Sequence, residues 1–168
     1  MKLDEIKDRV GALWESVAEG WQHLMQSAAG ALTRFKPVQG NPLPTEGEVD
    51  DGFYLPSRGW AVLGGDVFED DRRLVVRLEL PGMDKQDIQV EVLDEALVVS
   101  GQKRFERESS DGRWRVMQCA YGSFRRAVAL PSAVQAEASK ASYRSGVLRI
   151  ELPKAQPGRP RAIQVPVA

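Results

Sequence analysis

"LVVRLELPGMDKQDIQVEVLDEALVVSG", residues 74–101, alternates apolar and polar side chains with a period of two. Leu74, Val76, Leu78 and Leu80 stand against Val75, Arg77 and Glu79, and Ile88, Val90 and Val92 stand against Gln89 and Glu91. Alternation of that kind puts one set of side chains on each face of a strand. "PGMDKQD" and "DE" separate the runs and carry the residues that turns require. Towards the C-terminus "FRRAVALP" (124–131) and "VLRIELP" (147–153) repeat the pattern, divided by "PSAVQAEASK" and "RSG". Short alternating strands with turn signals and no helical period predict a mainly β, antiparallel sandwich from about Trp60 to Lys154. Within "FRRAVALP", Arg126 shares a face with Phe124, Val128 and Leu130. A guanidinium on an inward face must be paired, sit at an interface, or snorkel to water from an edge.

N-terminal to Trp60 the pattern changes. From Leu3 to Phe35 the apolar residues, among them Trp14, Trp21, Met25, Leu32 and Phe35, fall at steps of three, four and seven. That spacing predicts an amphipathic helical arm over residues 1–35, weakened at Gly11, Gly20 and Gly30. Its polar face holds Asp4, Glu5, Lys7, Asp8, Glu15, Glu19 and Gln22. Residues 36–59, with Pro37, Pro42, Pro44 and Pro56, read as a linker interrupted by the sticky patch Phe53, Tyr54 and Leu55. Residues 155–168 read as an extension: a Pro/Gly tether, then a stub in which Ile163, Val165 and Val167 alternate with Gln164 and Pro166. A strand so short needs a groove supplied by something else.

Composition narrows the function. Lys+Arg 23 against Asp+Glu 24 gives no bias towards nucleic acid or anionic lipid. Cys119 is the sole cysteine, which excludes an internal disulfide and suits a reducing compartment. "MKLDEIKDRV" has no apolar signal core, and the expected location is the cytoplasm. With one histidine, His23, and one cysteine there is no candidate metal set or nucleophilic triad, and no P-loop or dinucleotide fingerprint is present. No catalytic residue, metal or cofactor is expected.

"YGSFRRAVALP" (121–131) and "ASYRSGVLRIELPK" (141–154), preceded in order by "VVRLELPGMDKQDIQVEV" and "LVVSGQKR", resemble the alpha-crystallin domain of the small heat shock proteins. The resemblance covers roughly residues 60–154 and implies an immunoglobulin-like sandwich without enzymatic activity or ATP. It also implies a homodimer that builds larger homo-oligomers and holds partly unfolded client proteins. The family's tail motif corresponds here to Ile163-Gln164-Val165, a plug for a neighbouring subunit. By matching position its groove would be lined by Ile88, Val90 and Val92 on one side and Ser139 and Ala141 on the other. In related members the loop "FERESSDGRWRVMQCA" (105–120) crosses to the partner. That would make Trp114, on a short strand "RWRVM", an interface anchor, and Arg126 matches the family's dimer-interface arginine.

The arm residues Trp14, Trp21, Met25 and Phe35, with Phe53 and Tyr54, offer large adaptable contacts for clients. The same stripe suits burial in the oligomer, and the two roles are compatible. Three other readings are weaker. The arginines and aromatics of 104–126 suggest an RNA track, but Glu106, Glu108 and Asp111 dilute it. The arm resembles a membrane-surface helix, but its polar face is not cationic. A monomeric co-chaperone module of the same fold would need neither plug nor crossover loop.

Overall fold

The computed structural model describes residues 30–109 and 111–157. Among these residues nine strands run in chain order: β1 (Leu32–Phe35), β2 (Gly59–Val62), β3 (Gly65–Glu69), β4 (Arg73–Glu79), β5 (Ile88–Leu93), β6 (Ala96–Lys103), β7 (Gly122–Ala129), β8 (Lys140–Arg144) and β9 (Val147–Pro153). They form an antiparallel sheet ordered β3-β4-β9-β8, a second ordered β5-β6-β7, and a ribbon β1-β2. No helix among the described residues is long and apolar enough to cross a membrane.

Turn chemistry sets the registers. Ser145 and Gly146 both take positive φ (51° and 77°), as a two-residue hairpin turn demands, so Arg144 faces Val147. At the β3–β4 tip, Asp70 Oδ1 accepts from the backbone N–H of Arg72 (2.8 Å) and Arg73 (2.9 Å). The alternation read in residues 74–101 becomes the sandwich interior. Leu74, Val76 and Leu78 lie opposite Leu152, Ile150 and Leu148 across the β4/β9 ladder. One buried cluster joins these to Leu97, Val99 and Phe124 of the other sheet and to Leu130 just past β7.

Two expectations are corrected. The helical stripe does not extend to Phe35, because Leu32–Phe35 is strand β1, paired with β2 from Leu32↔Val62 to Phe35↔Gly59. "LTRF" alternates, Thr33 and Phe35 facing inward while Leu32 and Arg34 face outward, and a partner strand overrides the short helical spacing. Phe35 is 1% exposed against Phe124, ring centroids 5.3 Å apart, so it offers nothing to a client in this arrangement. Second, "RWRVM" is not a strand: only Trp114 makes an isolated bridge, to Val49 of the same chain. Trp14, Trp21 and Met25 of the arm and Ile163 and Val165 of the tail lie outside the described residues.

Candidate interaction site

The edges of the two sheets meet on opposite flanks. On one flank β5 and β8, each the last strand of its sheet, leave an apolar cleft of about 270 Å³. Val90 and Val92 form one wall, Ser139, Lys140 and Ala141 the other, and Leu97, Ile150 and Leu152 reach it from the core. Every second residue of β5 is exposed, so Ile88, Val90 and Val92 are only half-buried, with the space before them uncovered among the described residues. Ser139 Oγ donates to Gln135 O (2.9 Å), which keeps its hydroxyl turned to its own turn. Of the five groove positions expected, four line this cleft; Ile88 packs against the core but does not line it.

On the other flank β7 approaches β1 and β3. Arg126 reaches inward from β7, and its Nη1 donates to Ala31 O at 3.4 Å. Its Nε is buried with no hydrogen-bond partner among the described residues. Burial lowers the pKa of this guanidinium. A Cβ at Gly65 would stand 2.4 Å from Leu78 Cδ2 and 3.4 Å from Arg126 Nη2, so glycine there leaves room for both side chains. The free edge of β3 exposes Val67 (44%) and Phe68 (58%).

Residues 104–121 form a clasp with residues 41–50. Asn41 Nδ2 donates to Phe105 O (2.8 Å) and Phe105 N–H donates to Asn41 Oδ1 (2.7 Å). Arg107 pairs with Glu48 (2.8 Å), and Arg113 (2.5 Å) and Arg115 both pair with Asp50. Phe105 stands between Trp114 and Tyr121, with centroids at 5.4 and 5.2 Å. Trp114 is therefore held by its own chain here. Tyr54 donates from its hydroxyl to Pro44 O (2.7 Å) and is half-buried, whereas Phe53 is 96% exposed. This clasp was not legible in the sequence, because its partners lie about sixty residues apart.

Glu48 titrates below its ordinary range because the Thr45 backbone and Arg107 bond its carboxylate. Asp50 does so chiefly because Arg113 bonds it. Groups with depressed values contribute stability that is present at neutral pH and is lost as pH falls through the lowered pKa. Below the usual carboxylate range the clasp should open. Hydrogen exchange at residues 104–121 is expected to quicken there, and in Asp50→Asn to quicken at neutral pH with β4 and β9 unaffected. Equal protection in that variant would show that the ion pairs hold nothing.

The described chain thus defines a class: an antiparallel β-sandwich whose sheet edges present an apolar cleft on one flank and a half-buried arginine on the other. The Hsp20/alpha crystallin family model matches residues 66–167, more than half of the chain, and the chain belongs to that family. It is 32% identical over 100 residues to small heat shock protein C2 of Rickettsia felis, covering 60% of this chain and 65% of that protein. It is 33% identical to spore protein SP21 of Stigmatella aurantiaca over 60% of this chain and 59% of that one. These matches span less than two thirds of either relative. Heat shock protein 16.0 of Schizosaccharomyces pombe aligns in structure with a TM-score of 0.54 and 31% identity, over 63% of this chain and 97% of that one.

Proposed function

We propose that this chain is an ATP-independent holdase of the cytoplasm that binds partly unfolded proteins and stops their aggregation, with no catalytic role. The observation carrying the reading is the β5/β8 cleft, lined by branched and small side chains and bounded by two strand edges that are unpaired among the described residues. An extended segment with alternating apolar residues is the ligand such an edge takes. Ile163-Gln164-Val165 of a second copy has that pattern. Burying Ile163 and Val165 is worth roughly 1.5–3 kcal/mol each, against an association cost of about 4–15 kcal/mol. One plug is thus transient, and many plugs on linked dimers are collectively durable. An assembly built that way exchanges subunits and loosens on heating.

Support for a dimer comes from the other flank. Among the described residues Arg126 carries an orphaned Nε, and the β3 edge beside it is open with Val67 and Phe68 exposed. Trp114 and the segment 113–117 of a partner, released from their own clasp, are the proposed complement to that edge. The exposed Phe53 and the arm residues Trp14, Trp21 and Met25 are the proposed client contacts. The test is light scattering of a heat-unfolding client without nucleotide. The full chain should suppress scattering at near-equimolar ratio, and the triple variant Trp14→Ser, Trp21→Ser, Met25→Ser should lose most of it. Arg126→Ala should shift sedimentation towards monomer. No suppression by the full chain would end the holdase reading, and a monomer at all concentrations would leave a co-chaperone module.

A further inference from the structure

The ribbon β1-β2 has one face in the core and one that no described residue covers. Thr33 (4% exposed) and Phe35 (1%) face inward. On the outward face Leu32 lies directly opposite Val62, and Arg34 opposite Trp60. Leu32 is 53% exposed, Trp60 51% and Val62 44%. Trp60 also lines a neighbouring cleft of about 110 Å³ with Phe53 and Leu55, themselves 96% and 44% exposed. The result is one apolar band running from Leu32 through Val62 and Trp60 to Phe53. Contiguous apolar surface of that kind marks a contact site.

We infer that this band is the docking surface for residues 3–28 of the same chain. Three observations select that occupant. The arm ends at Gly30, two residues before Leu32, so its attachment point is the margin of the band. Tethering so close gives a high effective concentration and removes most of the association cost. The arm's apolar residues, Trp14, Trp21 and Met25 among them, recur at helical spacing and require an apolar partner. Charge also matches. Residues 1–29 hold Asp4, Glu5, Asp8, Glu15 and Glu19 against Lys2, Lys7 and Arg9. The band is bordered by the exposed Arg34 and Arg58, neither paired with an acid among the described residues. Docking there covers the band and the arm's stripe together, so the proposed client contacts are reached only when the arm lifts off. It does not depend on holdase activity, which is measured separately by client scattering.

The test uses the full chain. Leu32→Glu with Val62→Glu sets acid against an acidic arm, and Leu32→Thr with Val62→Thr removes the apolar contact while keeping strand propensity. Both positions are exposed, so hydrogen exchange in β4 and β9 should stay unchanged. Trypsin cleavage after Lys7 and Arg9 should become at least about tenfold faster in both variants, because cleavage follows the open population. In the unaltered chain the cleavage rate should not change on dilution. Unchanged cleavage in the variants overturns the inference, as does wild-type protection that vanishes on dilution, which would assign the band to a second copy.

Discussion

Ala141→Trp is expected to reduce the assembly to dimers without unfolding the sandwich. Ala141 is exposed on the edge strand β8 and lines the 270 Å³ cleft with Val90 and Val92. An indole there occupies the space that Ile163 and Val165 are proposed to fill. Ile163→Ala with Val165→Ala should reach the same endpoint from the other side, since removing most of each side chain takes away the apolar contact. The two changes act on one contact, so they should not add: the combined variant has the mass of either alone. Sedimentation velocity reads all three. Dimers from the tail variant but full-sized particles from Ala141→Trp would detach the tail from this cleft and seat it elsewhere.

Gly122→Ala should open the seam between β1 and β7. Gly122 has φ 114°, and a Cβ built on it falls 2.1 Å from Lys36 O, a backbone atom with nowhere to go. That seam consists of Lys36 N–H to Ser123 O and Ser123 N–H to Lys36 O, both 2.8 Å, beside the Phe35–Phe124 contact. Backbone strain of about 1–3 kcal/mol and two lost hydrogen bonds at about 1 kcal/mol each destabilise the fold by about 3–5 kcal/mol together. The denaturation midpoint should fall accordingly, and amides of residues 32–36 should exchange before those of β4 and β9. Gly52→Ala, where nothing lies within 4 Å and φ is not positive, is the neutral control. A Gly122→Ala protein as stable as that control would mean the seam is dispensable.

The sandwich was largely legible because its signals are local. Leu74, Val76, Leu78 and Leu80 alternate within seven positions, and all four are buried, at 0% or 1% exposure. The Ser145-Gly146 turn is written in two adjacent residues. Arg126 declared a conflict in the sequence, and the structure leaves its Nε without a partner among the described residues. What escaped was non-local. Leu32 and Phe35 stand a helical step of three apart, which in a strand puts them on opposite faces, and the partner that decides, Gly59–Val62, lies beyond the Pro-rich stretch. The clasp joins Asp50 to Arg113 across 63 positions, and no periodicity announces such a pair. The groove positions Val90, Val92, Ser139 and Ala141 came from resemblance alone, since half-burial on an edge strand looks in sequence like any other alternation.

Lys154 sets a limit on how far the proposed tail plug can reach. It is 3% exposed, with Nζ 2.6 Å from Glu69 Oε1, which Ser132 Oγ also reaches at 2.7 Å. Its N–H donates to Arg72 O, and that of Ala155 to Ala133 O. The chain leading to Ile163 is therefore anchored at Ala155, and eight Cα–Cα steps, with seven residues between, separate Ala155 from Ile163. Stretched fully, they cover at most about 26–29 Å. If Ile163 seats in a partner's cleft as proposed, that cleft has to fall inside this radius, so the anchored lysine would cap the spacing of neighbours.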